Sequence, residues 1–495
     1  MGSITFLLPD PLPPAAQATL GKACFASGGP DQAPVPAKVV LAPGALTITR
    51  SLSESGYLLA PWPIGSLGAM VVSTSTLRDA SEPYRLLIEL TRGKLNQVRT
   101  QAAEWELIGL RHRADFEANL ADTTRLFGKA LLASSPAESD AQAARALEQS
   151  FFLADSLVRE FISQMFDTRH HEEGLLDTRL AARVGGRPGE FQPEYGRAFN
   201  AAQIALNWRT IEPEESRYDW AGMDEAVAAA KAAGLPLTAG PVIDLSPGML
   251  PDWAAGWETD LPTLAAFMCD FLETAIGRYK GDIRRWVVCG GFNQSNSFGL
   301  DDDDRIRLAY RLFEAAATVD PGLELIINIA QPWGDYLVDD EHTISPLTFP
   351  DDLMRAGVNL SAVELEIRPG LVPRGSLPRD LLDTVRLFHL YSHLGLPLEV
   401  VLSRPSAYED DALASHAQSI WSPAGNPQLT LEGQAEWGAS LAALALCTPQ
   451  VRAVTWDHWS DRSPHLVPAG GLLDRKGIAK PLLSRLRTLR TAHLR

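Results

Sequence analysis

From about residue 190 to the C-terminus the chain alternates short apolar strands with amphipathic helices, and this constrains its fold more than any other feature. Candidate strands are "RAFNAAQI", "LPLTAGPVI", "RRWVVCGG", "ELIINIA", "LSAVELEI", "LPLEVVLS" and "RAVTWDHW". Stretches such as "WAGMDEAVAAAKAAG" and "DRIRLAYRLFEAAATVD" carry the helical period between them. About 300 residues of such alternation predict an α/β fold, a (β/α)8 TIM barrel, with a doubly wound sheet as the alternative. No GxGxxG or GxxxxGK[ST] follows a strand, so nucleotide binding has no support and no cofactor is expected.

Residues 1–80 read differently. "KVVLAPGALTITR", "SGYLLAPWPI" and "GAMVVSTSTL" are short apolar or β-branched runs cut by Gly and Pro. After "DASEP", where Ser81 is a candidate helix cap, Leu87, Leu90, Leu95, Val98, Ala102 and Trp105 recur at helical spacing. Further helical regions are expected at roughly 113–135 and 140–166. The expected organisation is a β-rich unit over 1–80, a helical unit over 81–185 and the barrel over 190–495. "RHHEE" (Arg169–Glu173) reads as a basic helix end, because adjacent histidines face different sides of a helix. "ELTRGKLNQVRTQ" reads as a solvated or domain-facing side of its helix.

A formal charge of −17 argues against nucleic acid or anionic membrane as partner. No run of about 18 apolar residues is present to span a bilayer. Cys24, Cys269, Cys289 and Cys447 lie far apart without CxxC spacing, which disfavours a zinc site or a disulfide framework and suggests a reducing compartment. "MGSITFLLPD" reads as a first strand rather than a leader, so a cytoplasmic protein with a neutral ligand is expected.

Several segments of the barrel half, in order over about 190–490, resemble glycoside hydrolase family 10, the endo-β-1,4-xylanase type of barrel. They are "FNAAQIALNWRTIEPEESRYDWAGMDEAVAAAKAAGL" (with Trp208, Glu212, Pro213 and Asp224), "LPLTAGPVIDLSPGMLPDW", "YKGDIRRWVV" and "VRAVTWDHWSDRSP…GLLDRKGIAKPLL". The resemblance implies a carbohydrate ligand and catalysis by two glutamates. Where the family's fourth strand reads Trp-Asp-Val-Val-Asn-Glu, this chain has Trp286-Val287-Val288-Cys289-Gly290-Gly291. The nucleophile of the family's seventh strand falls near Val401-Leu402, with Glu399 three residues upstream. Neither glutamate stands at its expected place.

Other carboxylates therefore become the candidates. In "SAVELEIRPG", Val363, Leu365 and Ile367 share one face of a strand, while Glu364 and Glu366 point into the barrel. Such a like-charge pair would raise one pKa, as an acid catalyst requires, unless Arg209, Arg368 or Arg404 pairs with it. Asp244 ends the third-strand segment, Asp335 follows the fifth, and Asp457 and Asp461 flank His458 after the eighth. The expected dyad is Glu366 or Glu364 with Asp457 or Asp244.

Trp208, Trp253, Trp257, Trp333, Trp456 and Trp459 lie near strand ends, where indoles stack on sugar rings. Arg209, Asn293, Gln294, Asn296 and Gln331 are candidate hydroxyl partners. The expected function is a divergent glycoside hydrolase with a relocated carboxylate pair. The competing expectation is a barrel that binds carbohydrate without cutting it. A third is a metal-dependent lyase or isomerase using Glu364 and Glu366, which lacks a clear histidine ligand set.

Overall fold

The computed structural model describes residues 2–27, 32–51, 53–185, 193–246, 248–257, 260–294, 299–338, 344–371, 375–407, 411–415 and 429–495. Eight parallel strands form the barrel: β1 (Arg179–Val184), β2 (Ala202–Ile204), β3 (Leu237–Ala239 and Ile243–Asp244), β4 (Arg285–Gly290), β5 (Glu324–Ile329), β6 (Ala362–Ile367), β7 (Leu398–Leu402) and β8 (Val451–Trp456). β8 pairs with β1, so the sheet closes. The two pieces of β3 flank Gly240-Pro241, and both pair with β4.

Two-residue alternation sorts the side chains of each strand. Val363, Leu365 and Ile367 of β6, like Leu180, Ala182 and Val184 of β1, join the apolar core under the surrounding helices. The inward face is largely polar: Arg183, Gln203, Arg285, Asn328, Glu364 and Glu399 are all buried there. Val287, Ile326 and Ala362 form a small separate apolar cluster. The barrel sheet begins at Arg179, inside the stretch expected to belong to the helical unit. Two arginines in six residues break the apolar run of "RLAARV", so a strand with a charged inner face did not register as one.

Ahead of the barrel lie two four-stranded sheets. Gly2–Leu7, Ala37–Ala42 and Ala45–Arg50 form an antiparallel set, and Tyr84–Arg85 adds in parallel beside Phe6 and Leu7. Pro34–Val35, Cys24–Ser27, Gly56–Pro63 and Ala69–Ser73 form the other sheet. Three helices follow: α1 (Leu86–Leu107), α2 (Ala114–Leu132) and α3 (Pro136–Glu173). Ser81 does not cap α1, because Pro83 favours extended backbone before it and Tyr84–Arg85 is held in the sheet. Extended Arg85 stands at the cap, and Glu89 in the first turn favours the helix dipole. α3 runs through "RHHEE": Arg169 donates to Glu173 and to the Leu446 carbonyl, and His170 Nε2 meets His493 Nδ1 at 2.8 Å. Among the described residues no helix is long and apolar enough to cross a membrane.

"TRGKLNQ" of α1 faces the barrel. Lys94 is 2% exposed and sits 2.5 Å from Asp380, whose carboxylate caps the helix Leu381–Ser392. Gln97 donates to Asp383 at 2.6 Å, and the Val71 N–H donates to the Pro378 carbonyl at 2.8 Å. The N-terminal sheet thus meets the rim of the barrel near the segments that follow β5 and β6. Gly93 permits this approach, since a Cβ there would lie 2.0 Å from the Ser73 carbonyl oxygen and 2.6 Å from the Thr74 carbonyl carbon. Gly93→Ala is expected to lower stability by about 1–3 kcal/mol despite alanine's better helix propensity, because backbone must move. Chemical denaturation of the two proteins checks it.

Candidate active site

The C-terminal ends of β1, β2, β3 and β8 surround a cavity of about 260 Å³. In (β/α)8 proteins this is the end that carries function. Arg183, Asn207, Asp244, Asp457, His458 and Trp459 are among its lining residues. Asp457 is the electrostatic centre: Arg183 Nη1 lies 2.5 Å from its Oδ1 and Arg368 Nη2 lies 3.0 Å from its Oδ2. Burial pushes this carboxyl up, but the Arg368 and Arg183 guanidiniums outweigh burial and hold it well below the usual carboxylate range.

Each arginine reaches a second acid. Arg183 Nη2 is 3.4 Å from Glu364 Oε1, and Arg368 Nη1 is 2.8 Å from Glu366 Oε2. Glu364 also accepts from Gln203 at 3.0 Å and Asn328 at 2.7 Å. Burial raises the Glu364 carboxyl, and these donors oppose the rise. The result is a chain of alternating charge, Glu364–Arg183–Asp457–Arg368–Glu366, packed inside the barrel. A metal ion at the two glutamates would lie against two guanidinium groups, which opposes the lyase or isomerase reading.

His458 accepts the Val467 N–H at Nε2, 3.0 Å away, so its ring proton is on Nδ1. Burial pushes its pKa down to about 3, against the pull of Asp457, and it is neutral. Trp459 is 2% exposed, packs edge-on against Tyr195 and Phe199, and its indole N–H has no hydrogen-bond partner among the described residues. An orphaned donor beside a cavity wants an acceptor.

Gly290 and Gly291 close off the end of β4. Gly290 pairs in register with Asp244, and a Cβ on it would lie 2.8 Å from Pro241 Cγ and 3.1 Å from Asp244 Cγ. Gly291 has φ 71°, a left-handed conformation that a side chain strains. Asp244 accepts from the Ser246 N–H at 2.8 Å.

Several expected residues lie elsewhere. Glu364 and Glu366 point inward but do not line the cavity. Arg209 pairs with surface Asp252, and Arg404 lies over Trp437, so neither serves the inner acids. Trp208 stacks on Phe271 in the core and donates to Glu212. Trp456 donates to the Gly470 carbonyl under the last helices, and Trp253 donates to the Glu212 carbonyl. Trp257 is on the surface. Asn293 exchanges hydrogen bonds with the Ala330 backbone and braces β4 against β5, while Gln294 and Gln331 meet at 3.4 Å. Trp333 sits beneath Arg379 at the seam with the N-terminal sheet. Asp335 pairs with Arg379 and Asp461 with Lys480. Asn296 lies outside the described residues. Arg183, Gln203 and Asn328 went unrecognised. Their signal was a polar residue on the inward parity of an otherwise apolar strand.

Residues 197–342 match the family model described as glycosyl hydrolase family 10. This part of the barrel is similar to glycoside hydrolase family 10. The sequence similarities to curated proteins are local. Endo-1,4-beta-xylanase A of Fusarium oxysporum f. sp. lycopersici is 29% identical over 131 residues, 25% of this chain and 38% of that protein. Endo-1,4-beta-xylanase 3 of Hypocrea jecorina is 26% identical over 181 residues, 35% of this chain and 48% of that protein. The chain thus spans less than half the length of these curated relatives. Solved structures that align include a family 10 protein from Paenibacillus barcinonensis, with TM-score 0.47 and 19% identity over 64% of this chain and 95% of that one. Xylanase 10B from Thermotoga maritima aligns with TM-score 0.47 and 16% identity, over 67% of this chain and 97% of that one.

Proposed function

We propose that the family 10-like barrel binds a saccharide in the cavity at its C-terminal mouth and does not cut it by the family's two-glutamate route. One observation carries this reading: Glu364, Glu366 and Asp457 are each tied to guanidinium groups inside the barrel. A hydrolase needs one carboxyl that holds a proton at the glycosidic oxygen and a second that attacks or activates water. Asp457 is held anionic, and Glu364, the acid whose pKa is raised, does not reach the cavity. What remains at the mouth suits binding: fixed acceptors at Asp457 and Asp244, a neutral His458, an amide at Asn207 and the unpaired Trp459 N–H. Gly290 and Gly291 support the reading, since neither position accepts a side chain without strain or displacement.

Cleavage by Asp244 and Asp457 is the second reading. Both line the cavity, and Asp457 has the permanent charge of a nucleophile or base, leaving Asp244 as the proton donor. The matched relatives are named as endo-1,4-beta-xylanases, so xylo-oligosaccharides lead the panel, followed by cello- and manno-oligosaccharides. Calorimetry and product mass spectrometry would be run on the wild type, Trp459→Phe and Asp244→Asn. The expected result is binding without products, weakened about three- to tenfold in Trp459→Phe by loss of one hydrogen bond. Products from the wild type that vanish in Asp244→Asn would establish the second reading instead.

A further inference from the structure

α1 carries an unusual solvent face. Beyond buried Gly93, Asn96, Gln97, Thr100, Gln101 and Glu104 follow one another at helical spacing, giving amides and a hydroxyl where a surface helix normally shows Lys and Glu. Opposite it runs Ser73-Thr74-Ser75-Thr76, which ends the strand Ala69–Ser73 and continues past it; Thr74 is buried and accepts from the Leu58 N–H, leaving the hydroxyls of Ser73, Ser75 and Thr76 along the wall. Between them lies a groove of about 480 Å³, lined also by Tyr57 and by Arg386 of the barrel helix Leu381–Ser392. Tyr57, Ser73 and Arg386 also line a neighbouring pocket of about 70 Å³ that contains Trp333 and Arg379. One continuous surface therefore joins an amide and hydroxyl trough to two aromatic rings.

We propose that this seam groove is a second saccharide-binding site, specific for an uncharged oligosaccharide, separate from the cavity at the barrel mouth. Sugar hydroxyls donate and accept at once, and primary amides and hydroxyl groups do the same. Tyr57 offers a ring for the apolar side of a pyranose, and Trp333, one face under Arg379, lines the adjoining pocket. Charge favours a neutral ligand. On a chain of net charge −17, the trough's Glu104 is offset by Arg386, so neither an anion nor a cation is selected. Asn96 donates to Ser75 across the trough at 3.2 Å, a polar pair that a sugar hydroxyl can replace by accepting from the amide and donating to the serine oxygen. This site does not depend on the mouth cavity binding anything.

The test uses the full chain and a panel of xylo-, cello- and manno-hexaoses, read by calorimetry and by amide hydrogen exchange. Asn96→Ala with Gln101→Ala removes two of the trough's amides and leaves Gln97, which braces Asp383, in place; alanine suits the helix and keeps the fold. The expected result is at least tenfold weaker binding at this site, loss of sugar-induced protection over 73–76 and 93–104, and an unaltered melting temperature. Trp459→Phe should leave this protection intact. Unchanged affinity and protection in the double variant would overturn the seam site, as would a wild type that binds none of the panel. Binding sensitive only to Trp459→Phe would overturn the seam and keep the mouth. Binding sensitive only to the seam variant would do the reverse.

Discussion

Arg368→Met is expected to destabilise the protein by about 3–5 kcal/mol, the usual cost of stranding a buried charge. Its guanidinium lies between Glu366 and Asp457, and all three side chains are at most 1% exposed. Methionine fills similar volume, so the loss is electrostatic rather than a cavity. Asp457 would keep Arg183, while Glu366 would lose the cation beside it. The pH profile gives an independent check. A carboxyl held below its ordinary value stabilises the folded state above about pH 4, and that stability is lost as pH falls towards the folded pKa. The wild type should therefore lose stability on the acid side through Asp457, and Arg368→Met should lose less there because Asp457 is less depressed. Urea midpoints between about pH 3 and pH 7 would decide it. An acid limb of unchanged slope would mean that Arg368 does not set the charge of Asp457.

Lys94→Met should cost a similar amount, about 3–5 kcal/mol, at the junction of α1 with the barrel. The buried ammonium group lies between Asp380 and Gln97 and over the Phe151 ring. Asp380 is already raised to about 6 by burial, with Lys94 opposing the rise. Removing Lys94 raises it further. A carboxyl raised in the folded state contributes most at low pH and loses that contribution as pH climbs through its folded pKa. The Lys94→Met deficit should thus be largest at neutral pH and shrink as the solution is acidified. Asp380→Asn in the Lys94→Met background should recover most of the loss, since asparagine also caps helices well. A double variant no more stable than the single would show that the deficit comes from lost packing, not from the stranded carboxylate.

Both predictions concern a cation with one partner far away in sequence, Asp457 for Arg368 and Asp380 for Lys94, and this separates what was legible from what was not. Parity along "SAVELEI" placed Glu364 and Glu366 inward and Val363, Leu365 and Ile367 outward, as found. The same reasoning failed for "RLAARV", whose inward arginines masked the strand. The tryptophans were misread for a related reason. Position after a strand end does not say which way an indole turns, and Trp208 and Trp456 turn into the helical layer, where their N–H groups find acceptors. Only Trp459 of the six lines the mouth cavity.

The sequence by itself determined the barrel, the β-plus-helical region before it, the glycines at the end of β4 and the acids on the inward parity of β6. Periodicity and composition suffice for these, because they depend on neighbours within one element. Tertiary structure decided which charges meet. Arg183 comes from β1, Glu364 and Arg368 from β6 and the segment after it, and Asp457 from the end of β8. Barrel closure alone puts them within hydrogen-bonding distance. Whether an inward carboxylate is a catalyst or a fixed ion depends on the cation facing it, and for Glu364 and Asp457 Arg183 supplies it from 181 and 274 residues away.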